Sequence, residues 1–331
     1  MKQFILLTLV VSVFLTACGT AVEAAPKPTV TVSASPSPTD TASPTGTMTA
    51  TSTPTITPTF IVTPTLTPTW VAQGPGPVVV PILLYHRIGV SPVDSQYYVP
   101  PDKFEEQMKL LHDWGYTVIP IELLVKAIEE GAELPPRPII ITFDDGDISV
   151  YTTAFPIMQK YGLTGVTYIV DNYMGTDGYM SADQIKGLMA AGWEVGSHSR
   201  SHRDLTKLQP DVQYMEIVDA RKVLQQATGS PVLTFAYPFG FVNESAGKYV
   251  HNAGYIAAMG LGYTSDQGKT NLFWLQRRDV SGTYDIKLFA SFLPWQGDLA
   301  LMPPDTPTPT PTASRTPIPT YTQYLTSTTG P

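Results

Sequence analysis

The stretch "IIITFDDG" (residues 139–146) places two adjacent carboxylates and a glycine directly after an apolar run. The apolar run predicts a buried strand, and Gly146 permits a sharp turn after it. Asp144 and Asp145 repel each other at the end of this strand and stabilise nothing obvious. The pair could simply be part of a strand-to-helix loop with an aspartate N-cap. Residues elsewhere in the chain are needed to tell whether the two aspartates have a function.

Around this strand, short apolar runs alternate with longer amphipathic stretches, which is typical of βα units about a parallel sheet. The predicted strands are 78–84, 117–119, 139–143, 166–170, 193–196, 233–237 and 255–259. The predicted helices are 101–113, 121–130, 151–161, 181–191, 211–227 and 244–252. This number of units favours an α/β barrel or a doubly wound sheet, and both place their chemistry at the carboxyl ends of the strands.

Three of the five histidines follow predicted strands, and the acidic pair follows another. These are His86 after the first strand and His198 and His202 in "SHSRSH" (residues 197–202). The spacing of four residues brings both imidazoles of that segment to one side, although the pattern alone would equally suit a polar loop. With one aspartate from the DDG stretch, two imidazoles form a metal site, typically for Zn²⁺, with an open position for water. The second aspartate would then take a proton beside it.

The two ends of the chain have compositions that do not build a core. Residues 1–18 combine a basic start with a short apolar run and are interpreted as a lipoprotein signal peptide, in which "LTAC" resembles a processing box and Cys18, the only cysteine, carries the lipids. Residues 19–77 are rich in Thr, Pro and Ser and predict a disordered stalk, and residues 303–331 a similar tail. One domain, over 78–302, remains.

The formal net charge of −8 argues against nucleic acid as a partner. The signal peptide, its processing box and the stalk predict an exported, membrane-anchored protein at the cell surface or in the cell envelope. The lipid anchor would be its contact with the membrane, and a monomer is expected.

Three motifs in order, "TFDDG" (142–146), "HSRSH" (198–202) and "FAYPFG" (235–240), resemble those of the polysaccharide deacetylases, the family 4 carbohydrate esterases. The opening "PILLYHRI" (81–88) resembles the branch that acts on poly-N-acetylglucosamine-type polymers. The resemblance covers the whole core. It implies a distorted (β/α)7 barrel and metal-dependent hydrolysis of an N-acetyl group to acetate and a free amine.

The resemblance also implies roles for individual residues. Asp145, His198 and His202 would bind a divalent metal, with Zn²⁺ expected, and Asp144 would be the general base. The backbone N–H near Phe239 would hold the oxyanion, with phenylalanine at a position where tyrosine is usual.

Two features depart from the family pattern. Ala236 stands where an arginine often pairs with the catalytic aspartate, and Arg277 or Arg278 could supply that charge. No histidine follows His251, so the late histidine that serves many members as general acid is missing. We hypothesise that His86 supplies the proton instead.

The polymer itself is left open between peptidoglycan, poly-N-acetylglucosamine, chitin fragments and acetylated xylan. Trp193, Trp274 and Tyr237 could stack on any sugar ring. Competing interpretations are an O-acetyl esterase, a surface protein that binds carbohydrate without turnover, and an Fe(II) oxygenase, whose facial triad uses the same ligand types.

Overall fold

The computed structural model describes residues 69–93 and 95–297. Its strands are β1 Val71–Gln73, β2 Val78–Val79, β3 Ile82–Tyr85, β4 Arg87–Ile88, β5 Tyr98–Val99, β6 Thr117–Val118, β7 Ala132–Leu134, β8 Pro138–Phe143, β9 Val166–Ile169, β10 Glu194–Ser197, β11 Thr234–Ala236, β12 Ala257–Met259, β13 Asp266–Gln267 and β14 Arg278–Asp279. Its α-helices are α1 Pro101–Asp113, α2 Ile121–Glu129, α3 Phe155–Lys160, α4 Ala182–Ala190, α5 Pro210–Tyr214, α6 Ala220–Thr228, α7 Glu244–Asn252 and α8 Ile286–Ser291.

The central sheet has eight parallel strands: seven follow the order β12, β11, β10, β9, β8, β3, β14, and β6 pairs with β8 off this path. The segment leading into β14 touches both edges of this sheet. Leu275 forms a parallel bridge with Met259 of β12, and β14 pairs with β3. The sheet therefore curls into the distorted (β/α)7 barrel that the sequence predicted.

Alternation along β8 separates two layers of the core. Ile139, Ile141 and Phe143 belong to the cluster between sheet and helices, whereas Ile140 belongs to a second cluster inside the barrel. All six residues of β8 are buried, as the apolar run predicted for a strand covered on both faces. Asp144 and Asp145 thus emerge from the most enclosed strand of the sheet.

The helices begin and end where their sequences indicate. Helix α1 starts at Pro101, where the missing N–H costs nothing, and buries Phe104, Met108 and Leu111 on one face. Helix α4 starts at a capping box of Ser181 and Gln184. Of the described residues, none lies in a helix long and apolar enough to cross a bilayer.

The sequence predictions need three corrections. The strand over 78–84 is two strands, because Pro81 interrupts the ladder and β2 turns aside to pair with β13. The helix over 211–227 contains a π-helical segment, Met215–Asp219, between α5 and α6. The folded part begins before residue 78, since β1 pairs with β7. The signal peptide, Cys18, most of the stalk and the tail lie outside the described residues.

Candidate active site

The carboxyl ends of neighbouring parallel strands bring distant parts of the sequence together. Asp144 and Asp145 follow β8, and His198 and His202 follow β10. Strand β9 lies between these two strands and pairs with both. The polar residues therefore meet at one edge of the barrel, as in other parallel α/β proteins.

Asp145, His198 and His202 form a cluster that could hold a metal ion. The ligand atoms lie within 4.8 Å of one another. Oδ1 of Asp145 lies 3.7 Å from Nε2 of His198 and 3.5 Å from Nε2 of His202. Tetrahedral ligands at about 2.1 Å from Zn²⁺ are roughly 3.4 Å apart, so these spacings fit.

The protonation of both imidazoles also suits a metal. Nδ1 of His198 lies 2.8 Å from the carbonyl oxygen of Ala236, an acceptor, so the proton sits on Nδ1 and Nε2 keeps its lone pair. Burial and the neighbouring His198 lower the pKa of His202. Its imidazole is therefore neutral near pH 7 and able to bind a cation.

A buried glutamate holds the segment that carries both histidines. The side chain of Glu216 accepts hydrogen bonds from the backbone N–H groups of Arg200 and Ser201 and from the hydroxyl of Ser201. Glu216 lies in the π-helical segment, a form that is frequent at functional sites. No pattern in the sequence predicted this contact.

Among the described residues, four other than glycine have a positive φ, and all lie at or beside this cluster. They are Asp145 (72°), Ser199 (67°), His202 (55°) and Phe239 (60°). Such conformations cost free energy unless the surroundings enforce them, and they concentrate at functional sites. The surrounding structure therefore holds these residues in the backbone conformations that the cluster requires.

Asp144 is held by Arg277 and not by Arg278. Nη1 and Nη2 of Arg277 donate to Oδ1 and Oδ2 of Asp144 at 2.7 and 2.8 Å. Burial alone would raise the pKa of Asp144, but the positive charge of Arg277, with a smaller contribution from His198, holds it well below its usual range. Of the two arginines that could supply this charge, Arg277 is therefore the one beside Asp144, and the guanidinium of Arg278 lies over Tyr263 and Phe292.

Comparisons with known proteins support the family that the sequence motifs resemble. Residues 131–258 match the sequence model named Polysaccharide deacetylase. A Staphylococcus aureus (strain MRSA252) poly-beta-1,6-N-acetyl-D-glucosamine N-deacetylase is 26% identical over 203 residues, which cover 56% of this chain and 69% of that protein. All three kinds of comparison, by family, by sequence and by structure, support the polysaccharide deacetylase family.

Two further relatives extend the match. The Bacillus subtilis (strain 168) protein YxkH, whose name assigns it provisionally to the polysaccharide deacetylases, is 27% identical over 221 residues, covering 66% of this chain and 77% of that protein. The Streptococcus pyogenes deacetylase PplD, solved in complex with acetate, superposes with a TM-score of 0.62 at 25% identity. That match covers 66% of this chain and 99% of the other. The barrel therefore has the same fold as that deacetylase.

Arg87 is a residue of the candidate site that the sequence analysis missed. It lies 3.3 Å from Oδ2 of Asp145 through Nη2, and its Nε donates to Asp147 at 3.0 Å. One carboxylate oxygen of Asp145 is thereby occupied, which leaves Oδ1 for a metal. Its place directly after His86, at the end of the first barrel strand, was the available signal.

His86 stands at the same mouth, beside Asp279. Its Nδ1 is buried without a hydrogen-bond partner among the described residues and lies 3.8 Å from Oδ1 of Asp279. A positive charge on His86 would lower the pKa values of both Asp144 and His202. Burial raises the pKa of Asp279, and His86 counters the rise. The structure thus brings His86 to the site, and its role as proton donor stays a prediction.

The aromatic residues expected to bind sugar are mostly buried. Trp193 is 4% exposed and packs on Phe143, and Tyr237 is 0% exposed and packs on Phe235. Both belong to the core between sheet and helices, so they offer no ring face to a substrate. Trp274 is half-buried and donates to the carbonyl of Gly240 at 3.3 Å.

Other aromatic rings surround the metal-binding cluster. Phe239 is 49% exposed and contacts the ring of His202, with centroids 4.7 Å apart. On the other flank the ring centroids of Tyr173 and Tyr179 lie 4.7 Å apart, and the backbone of Tyr179 forms an antiparallel β-bridge with that of Asp147. Tyr97 packs edge-on against His86. These rings, which sit in loops, are the better candidates for sugar contacts.

Proposed function

We propose that the protein is a zinc-dependent N-deacetylase that removes acetyl groups from a cell-surface polysaccharide containing N-acetylglucosamine. The observation that carries the proposal is the constellation of two aspartates and two histidines, in which one aspartate joins the histidines and the other joins Arg277. The named activity of the Staphylococcus aureus relative supports the choice of substrate.

Asp145, His198 and His202 would hold the metal, which when bound polarises the acetyl carbonyl and makes a water more acidic. Asp144 accepts the proton of the attacking water, and Arg277 keeps this carboxylate ionised for the task. The new bond joins the water oxygen to the carbonyl carbon. The backbone N–H at Phe239 stabilises the negative charge on the former carbonyl oxygen.

Collapse of that tetrahedral species breaks the bond between carbon and nitrogen. The departing amine needs a proton, because an unprotonated amide anion is a very poor leaving group. His86 donates it, and Asp279 beside it stabilises the protonated imidazole. The products are acetate and a free amine on the sugar.

Two single substitutions test this division of labour. Asp144→Asn is expected to retain the metal and to lose about 10²–10⁴-fold in rate, since it removes only the proton acceptor. His202→Ala is expected to lose both metal and activity. Metal content by elemental analysis and acetate release, with and without chelator, are the measurements. Full activity in a verified metal-free preparation would sink the proposal, and loss of metal from Asp144→Asn would show that the two aspartates are reversed.

Acetate release should be compared on poly-N-acetylglucosamine and on acetylated xylan. Release from the first only supports an N-deacetylase, whereas release from the second only would make the protein an O-acetyl esterase. Binding of either polymer without release would instead indicate a surface protein that binds carbohydrate.

The sequence of the amino-terminal region supports a location at the cell envelope. The signal over residues 1–18 and the stalk that follows would attach the catalytic domain to a membrane through lipids on Cys18. Incorporation of labelled fatty acid into the full chain, and its absence in Cys18→Ser, would test this. A protein released unlabelled into the medium would contradict it.

A further inference from the structure

A cavity of about 540 Å³ opens beside the metal-binding cluster. His202 and Phe239 form its wall toward the reacting centre, and Phe241 and Leu208 continue the apolar surface. Its size lies within the range of small-ligand sites. A sugar bonded to the one that is deacetylated would enter this cavity when its neighbour is at the metal-binding cluster.

One side of the cavity is apolar and exposed. Phe239 keeps 49% of its surface accessible, and its ring centroid lies 5.8 Å from that of Phe241 at an angle of 38°. Large exposed aromatic rings in a concave surface usually mark a binding site. The strained backbone at Phe239, with φ of 60°, holds this ring outward.

The other side carries positive charge. Arg203 is exposed, and the side chain of Lys207 is 79% exposed. The acidic residue of the wall, Asp204, is only 14% exposed, and its carboxylate already accepts from the backbone and hydroxyl of Thr206 and from Lys207. Because Lys207 is paired with Asp204, the positive charge offered to a ligand is chiefly that of Arg203, in a chain whose formal net charge is −8.

We infer that this cavity selects a polysaccharide in which the sugar next to the acetylated one carries an anionic group, a carboxylate or a phosphate. The inference rests on the proposed deacetylase function and adds the substrate class. Arg203 can match both groups with paired hydrogen bonds, and Lys207, although paired with Asp204, places a second cation near the ligand. A neutral polymer would use the aromatic wall alone and leave the guanidinium of Arg203 in water.

The test uses three short oligosaccharides with the same N-acetylated reacting sugar. The neighbouring sugar is neutral in the first, carries a carboxylate in the second and a phosphate in the third. We expect kcat/KM to be about tenfold higher for at least one anionic substrate, chiefly through KM, and the preference to shrink in high salt. The two anionic arms identify which group is recognised.

The charge-removing variant is Arg203→Gln with Lys207→Gln, in which the preference should fall close to one. Lys248→Gln with Lys269→Gln removes the same charge from exposed positions outside the cavity and should keep the preference. Lys207→Gln alone should show a partial loss and guards against disturbance of His202, which is checked by metal content.

Equal kcat/KM on all three substrates, or a preference that survives in the double variant, would overturn the inference. Calorimetric affinities for the same oligosaccharides decide it even without turnover. Absence of acetate from every substrate combined with tighter binding of an anionic one would sink the proposed reaction and leave this inference standing.

Discussion

Arg277 donates hydrogen bonds to both carboxylate oxygens of Asp144, at 2.7 and 2.8 Å, although it lies 133 residues further along the chain. The motif resemblance implies an arginine at position 236, whereas Ala236 is buried among apolar residues inside the barrel. The segment that closes the barrel between β12 and β3 instead brings Arg277 to Asp144. The ion pair is therefore made by an arginine that directly precedes β14.

Removing this charge should change how activity depends on pH. Without Arg277, burial of Asp144 is no longer opposed by a bidentate cation, and its pKa should rise. We expect the acidic limb of kcat/KM to move to higher pH in Arg277→Gln, with Arg277→Lys between the variant and the parent protein.

Arg278→Gln is the matched control, because Arg278 lies over Tyr263 and Phe292. Its pH profile should stay where it is. An unmoved acidic limb in Arg277→Gln would show that this limb does not report Asp144.

The comparison of Arg277 with Arg278 shows what sequence reasoning can reach. The motifs located Asp144, Asp145, His198 and His202, because the ends of neighbouring parallel strands must converge. They could not choose between two adjacent arginines, because successive residues point to opposite faces of a sheet and the face depends on the register of strand pairing. That register is set by the pairing of Arg278 with Leu83 and of Asp279 with Leu84.

The same ambiguity explains the aromatic residues. Tyr237 follows a barrel strand and was expected to face a sugar, but its phase places the ring between the sheet and the helices. The half-buried rings of Tyr173 and Tyr179 and the exposed ring of Phe239 lie in turns, where no periodicity predicts direction. Strand β1 was missed for another reason, because it directly follows a Pro/Thr-rich stretch and only its pairing with β7 reveals it.

The proton donor can be tested by changing the leaving group. His86→Ala should retain metal and lose about 10²–10⁴-fold on an amide substrate, because the amine cannot leave unprotonated. An activated ester with a good leaving group should be spared. Asp279→Asn should show a weaker form of the same pattern, since it only stabilises the protonated ring. Equal losses on both substrates would assign His86 a positioning role.

The boundary of the folded part can be tested by truncation. A protein of residues 78–297 lacks β1, which pairs over three residues with β7, and lacks the hydrogen bond from Gly76 to Ile128. With about 1 kcal/mol for each lost hydrogen bond, the thermal midpoint should fall by roughly 3–10 °C.

The control is a protein of residues 69–297, whose thermal midpoint should match that of the full chain. Turnover of a soluble substrate should be similar in both, because β7 precedes β8 and lies at the opposite end of the barrel. Identical midpoints for the two truncations would show that β1 contributes nothing.

Asp171 predicts how stability depends on pH. This residue is 9% exposed, and neither carboxylate oxygen has a hydrogen-bond partner among the described residues. Burial raises its pKa to about 8, only partly countered by Arg200. In the unfolded chain the pKa is about 3.9. Between these values the folded protein binds the proton more tightly, so the free energy of unfolding should fall as pH rises from about 4 to about 8.

Asp171→Asn keeps the shape of the protonated acid and cannot ionise, so it should lose this part of the slope. The quantity to measure is the difference in unfolding free energy between the parent protein and the variant, by denaturant titration across that pH range. The variant should gain on the parent protein as pH rises, because ionised Asp171 would sit near Glu216. The backbone N–H of Asp171 donates to the carbonyl of Ser199, so the destabilisation caused by ionised Asp171 should extend to the segment that carries the histidines. If the difference in unfolding free energy between the two proteins did not change with pH, Asp171 would ionise with its ordinary pKa, its carboxylate satisfied by a cation or water.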